Sequence, residues 1–106
     1  MSKYYVSCGA KKLVVSAENA AVAAMRLIDL VMSDHIWIYS DTLLDEQDRR
    51  DHIALEALLN LGTSVHVSER GIGRNDACEV GVPELLEEWH QLMTGLSRLF
   101  ANLDAN

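Results

Sequence analysis

The sequence is poor in residues that break or staple a chain: one proline, six glycines and two cysteines among 106 residues. So little proline and glycine excludes a collagen-like fibre and a low-complexity linker. No linker divides the chain, so residues 1–106 are read as a single domain. Cys8 and Cys78 form no CxxC pair. They are expected as free thiols in a reducing, cytoplasmic setting.

Long apolar runs are also missing. The longest, residues 20–32, is interrupted by Arg26 and Asp29 and is shorter than the ~20 residues of a bilayer span. The start, MSKYYVSCGAKK, has no apolar run behind its lysine, so no secretory signal is expected. Basic charge is the minority, with 9 Lys and Arg against 16 Asp and Glu, a formal charge of −7. That argues against nucleic acid or an anionic membrane as partner, since both need basic surface.

What is present is apolar. Hydrophobic residues make up 49% and charged residues 24%, the composition of a globular protein rather than a disordered one. A chain of this length buries roughly two-thirds of its unfolded surface and needs no disulfide or metal to hold a core.

Residues 3–8 (KYYVSC) and 11–16 (KKLVVS), split by Gly9-Ala10, predict a β-hairpin. An alanine-rich helix is expected over 17–32, with Ser16 as a cap. Residues 35–40 (HIWIYS) are apolar on both alternating faces and predict a central strand or one covered on both sides. Residues 41–51 crowd five acids and two arginines. A helix follows, starting at Glu46 or Asp51 and ending at Leu61, with Gly62 at its C-terminal position. Residues 63–68 (TSVHVS) alternate as a half-buried strand, and 69–82 read as an ordered loop.

Pro83 then opens the last helix, with Glu84, Glu87 and Glu88 at its positive N-terminal end. Here the period is clearest. Leu86, Met93 and Phe100 recur every seven residues, Trp89, Leu96 and Leu103 follow three behind, and Leu85, Leu92 and Leu99 sit one before. The fold class expected is α+β: a mainly antiparallel sheet of about four strands (β-hairpin, helix, strand, helix, strand) with a C-terminal amphipathic helix.

Both long helices hold more apolar surface than one small sheet covers. Either they pack against each other in a monomer core, or part of this surface forms a symmetric homodimer or receives a protein partner. Trp89, Met93, Leu96 and Phe100 are the candidate interface residues.

The best candidate for ligand chemistry is the loop after the strand at 63–68, with Ser68, Glu69, Arg70, Arg74 and Asp76. Two arginines there could clamp a small anion while the acids orient them. The loop does not have the GxxxxGK[ST] pattern of a phosphate loop, and GIG is too short for a dinucleotide fingerprint.

Cys8, near Lys11 and Lys12, has no histidine close in sequence to act as a base, so no catalytic residue is assigned. His52 and Glu56 are four apart and could share a helix face, but one such pair is a weak metal signal. The acids of 41–51 lack calcium-loop spacing. No metal and no cofactor is expected.

The segment SERGIGRNDA, followed by EEWHQL, resembles a family of small uncharacterised bacterial proteins. Their pattern pairs a YxVxxG start and an alanine-rich first helix with an SERGxxRxDA loop and a WxQL helix. Tyr4, Val6 and Gly9; Ser68, Glu69, Arg70, Gly71, Arg74, Asp76 and Ala77; and Trp89, Gln91 and Leu92 carry the resemblance. It implies a stand-alone domain and brings no biochemical role with it.

The leading expectation is a small non-enzymatic interaction module that self-associates or binds a protein partner through its helices. The alternative is a binder of a small anionic ligand through Arg70 and Arg74. A cysteine-based enzyme has the least behind it.

Overall fold

A computed structural model describes residues 1–72 and 75–104, with side chains as far as Phe100. The chain forms β1 (Ser2–Cys8), β2 (Lys11–Ala17), α1 (Ala20–Met32), a 3₁₀ segment (Ser33–Tyr39), α2 (Glu46–Asn60), β3 (Ser64–Ser68), β4 (Cys78–Gly81) and α3 (Val82–Asp104). The four strands make one sheet in the order β2-β1-β3-β4, with every neighbouring pair antiparallel. The class is α+β, with a C-terminal helix.

The hairpin turns at Gly9-Ala10. Gly9 has φ 58, and no residue other than glycine has positive φ among those described. That is the arrangement of a two-residue turn with glycine in its first place, whose twist matches the strands it joins.

Alternation divides the sheet into two faces. Tyr4, Val6 and Cys8 of β1 and Val65 and Val67 of β3 point inward and are buried. The register sets Val6 beside Val67 on one side and Leu13 on the other. The opposite face carries Lys3, Tyr5, Lys12, Val14, His66 and Glu79, and Val14 on it is more than half exposed.

The helices cover the inner face. α1 buries Ala23, Ala24, Leu27, Ile28 and Met32, and the start of α3 buries Val82, Leu85, Leu86 and Trp89. Trp89 is fully enclosed, and its indole N–H donates to Asp29 Oδ1 on α1 at 3.2 Å. An indole that size removes on the order of 200 Å² of apolar surface from water, worth roughly 5 kcal/mol. α2 is anchored by only two buried residues, Ile53 and Ala57.

Several local expectations change. α1 starts at Ala20, not 17, because Ser16 and Ala17 pair with Lys3 and Ser2 in the hairpin. Its cap is Asn19, whose side chain accepts from Val22 N–H at 2.9 Å. α2 starts at Glu46, where Asp45 and Asp48 each accept the other's backbone N–H in a capping box. Gly62 does not close α2 in a left-handed conformation: the cap is Leu61, with extended backbone. Gly62 instead donates its N–H to Cys8 Sγ at 3.2 Å. The loop expected over 69–82 contains β4.

The largest correction concerns 35–40, which is no strand. Ser33–Tyr39 is a 3₁₀ helix continuing from α1. Ile38 and Tyr39 are buried while Ile36 and Trp37 are exposed, a pattern that strand alternation does not produce. β-propensity expresses packing on a pleated surface, and here the strand places are filled by β3 and β4. Arg49 then fixes the segment from α2, donating to Ile38 O at 3.0 Å and Asp41 O at 2.9 Å.

Candidate functional site: the outer half of the C-terminal helix

The apolar stripe of α3 keeps one spacing along its length but not one environment. Leu85, Leu86 and Trp89 are buried. Met93 is half-buried against the core, Leu96 is 38% exposed and Phe100 is 60% exposed. Leu92 and Leu99, on the flank of the same stripe, are each about half exposed. A Cβ added at Gly95 would meet nothing within 4 Å. The helix is still tied to the body at Ser97, whose hydroxyl donates to Tyr39 O at 2.8 Å.

Of the four interface candidates, Trp89 is corrected: it lies wholly inside the monomer and offers no surface to a partner. Met93, Leu96 and Phe100 lie on the exposed run. An open groove of about 630 Å³ borders that run on one side, lined by Ile36, Tyr39, Met93, Leu96, Ser97 and Phe100. A second, of about 500 Å³, meets it at Met93 on the α1 side, lined by Met25, Arg26, Asp29, Glu88, Leu92 and Met93. The result is an apolar ridge between two troughs. Along the helix itself charge is sparse, with only His90 and Arg98 ionisable between Trp89 and Leu103, while Arg49 lines the first trough and Arg26, Asp29 and Glu88 the second.

A polar chain marks where the buried half ends. Tyr39 Oη lies 2.9 Å from His90 Nδ1, and His90 Nε2 lies 2.5 Å from Glu46 Oε1. An ionised carboxylate only accepts, so Nε2 carries the proton and Nδ1 accepts from the phenol. Burial, reinforced by the Glu46 carboxylate, pushes the Tyr39 phenol up to about 12, so it stays a donor. The bond from His90 holds the Glu46 carboxyl below its usual range. Arg50 continues the chain, bonding both Glu46 and Glu87. His90 is thus a buried, fully hydrogen-bonded residue, which its place at the edge of the stripe did not disclose.

The loop after β3 is closed on itself. Ser68 Oγ donates to Asp76 Oδ1 at 2.6 Å, Glu69 N–H donates to Asp76 Oδ2, and the N–H groups of Arg70 and Gly71 donate to Ser68 Oγ. The Ser68 hydroxyl, with the Glu69 amide behind it, holds the Asp76 carboxyl below its usual range. Ser68 and Asp76 therefore shape the turn. Arg70 and Glu69 are exposed, and Arg74 lies outside the described residues.

Cys8 is buried, and burial pushes its thiol up, away from the thiolate a nucleophile needs. Cys78 is exposed.

Among the described residues, one constellation could hold a metal. His52 and Glu56 share a face of α2, and the 3₁₀ segment sets His35 beside them, so that one ligand atom of each lies within 4.8 Å of the others. The histidine that completes the trio sits in the segment read as a strand, so its proximity had no sequence signal.

No protein-family model matches the chain, and no curated protein or solved structure is significantly similar to it. No helix among the described residues is long and apolar enough to cross a membrane.

Proposed function

We propose that this protein is a small interaction module that self-associates, the outer half of α3 packing against the same half of a second copy. The observation that carries this is the run Leu92, Leu96, Leu99 and Phe100, exposed at helical spacing on a face whose inner continuation is core. An apolar patch at regular spacing departs from the scattered exposed leucines of an ordinary surface.

A second copy fits better than an unlike partner. Each protomer carries −7, so approach must avoid acidic surface; the helix has no acid between Trp89 and Leu103, and Asp29 and Glu88 border only the trough beside Leu92. A ridge flanked by two troughs is also self-complementary, as a two-fold interface requires. The two free thiols, one of them buried, suit the reducing cytoplasm.

Light scattering on a size-exclusion column tests the proposal. Wild-type protein at micromolar concentration is expected to run at twice the chain mass, and Leu96→Glu with Phe100→Glu as a folded monomer. A monomeric wild type, or a double variant still dimeric, would overturn it.

A further inference from the structure

We propose that His35, His52 and Glu56 bind one divalent transition-metal ion of the zinc class. The three side chains lie between the 3₁₀ segment and α2, and the proposal does not rest on self-association.

His52 and Glu56 are one helical turn apart, so their side chains rise from the same face of α2. His35 approaches from across the gap. Its Nδ1 is 3.1 Å from His52 Nε2, and its Nε2 is 3.4 Å from Glu56 Oε2. The two contacts use different nitrogens of the His35 ring, of which one faces an ion; a tetrahedral ion about 2.0–2.1 Å from each ligand holds its ligand atoms roughly 3.3 Å apart. With all three ligand atoms within 4.8 Å of one another, side-chain rotation alone closes the set.

The frame is held before any ion arrives. Arg49 clamps the backbone of the 3₁₀ segment to α2 through Ile38 O and Asp41 O. Ile38 and Tyr39 anchor the same segment in the core. Trp37 packs edge-on against His52, with ring centroids 5.6 Å apart, limiting the imidazole's freedom. Preorganised ligands of this kind lose little entropy on binding.

The donor set chooses the metal. Two imidazoles and one carboxylate suit zinc, cobalt, nickel or copper, whereas calcium and magnesium call for oxygen ligands throughout. The side chains of His35 and Glu56 are about one-fifth to one-quarter exposed (22% and 24%), which leaves a fourth position open to water. Three protein ligands with one open position is the pattern of a reactive rather than a closed structural zinc site. A solvent-exposed histidine–carboxylate pair elsewhere, His66 with Glu79 at 3.5 Å on the open sheet face, offers only two ligands and serves as an internal control.

The test uses tag-free full-length protein stripped with a chelator, titrated with Zn²⁺ by calorimetry and with Co²⁺ by visible absorbance. The expected result is one equivalent per chain and a cobalt band of tetrahedral intensity, with Trp37 fluorescence quenched by Co²⁺ in wild type and the quench lost in Trp37→Phe. His52→Ala and Glu56→Gln should each weaken binding by about tenfold or more, with unchanged circular dichroism, and His66→Ala should leave it intact. The Leu96→Glu/Phe100→Glu monomer should bind the same single equivalent. Absence of saturable binding, or binding undiminished in both His52→Ala and Glu56→Gln, would mean that the three residues form only a hydrogen-bonded chain, and would overturn the proposal.

Discussion

The inner and outer halves of α3 have the same apolar spacing and opposite surroundings. From Val82 to His90 the stripe faces α1 and the sheet, and Trp89 is sealed among them. From Leu92 onward the helix borders open troughs, one beside Leu92 and Met93 and one beside Leu96 and Phe100. Hydrophobic period states which side of a helix must be covered, but not by what. For the inner half the cover comes from the same chain. For the outer half the chain has run out of apolar partners: its strands are in the sheet, α2 reaches it only through the polar residues of its first turns, such as Arg49, and the α2 leucines Leu55, Leu58 and Leu59 are themselves exposed. A helix of 23 residues is ~35 Å long, more than one small core can cover.

Substitutions can break this contrast, the largest effect falling in the inner half. Trp89→Ala should cost about 3–5 kcal/mol, enough to threaten the fold of a small domain, because it opens a cavity and leaves Asp29 without its donor. Denaturant titration followed by circular dichroism checks this. Leu96→Glu with Phe100→Glu should act in the opposite sense: near-neutral for monomer stability, yet weakening association by roughly 30-fold or more, as expected of interface anchors. Sedimentation at several concentrations reads that loss. Should the two variants destabilise the monomer equally, the halves would not differ and the outer run would be core.

Smaller changes sharpen the boundary between the halves. Tyr39→Phe removes the phenol that donates to buried His90, leaving Nδ1 unpaired at a cost of about 1–3 kcal/mol. Denaturation of that variant beside wild type gives the figure. The pH dependence at Glu46 should be weaker still. Its carboxyl is held below its usual range by His90, so its stabilising contribution is fully present above about pH 4.3, the ordinary glutamate value. That contribution fades as pH falls through the lower folded-state value. Glu46 is half exposed, so solvent screening keeps the effect below about 1 kcal/mol. The stability gap between wild type and Glu46→Gln should therefore narrow between pH 6 and pH 3, and a gap that widens would contradict the assignment.

The parts of this structure legible in the sequence were those specified locally. Gly9 placed the hairpin turn, Val65 and Val67 marked the inward side of β3, and Pro83 with its following glutamates opened α3 within one residue. HIWIYS was misread because alternation of large apolar residues looks alike in a doubly covered strand and in a 3₁₀ segment wedged between helices. β4 was missed since CEVG has no alternation of its own and exists through pairing with β3. The four candidate interface residues share one period, which could not tell that Trp89 lands in the core while Leu96 and Phe100 stay exposed.

The sequence by itself determined the α+β class, the hairpin and the apolar side of α3, because these depend on neighbours a few positions apart. Only the tertiary structure decided how far along α3 the cover extends, that His90 is a buried link between Tyr39 and Glu46, and that His35 meets His52 and Glu56. Those outcomes depend on contacts between residues distant in the chain, and the packing that brings such residues together leaves no mark in local spacing.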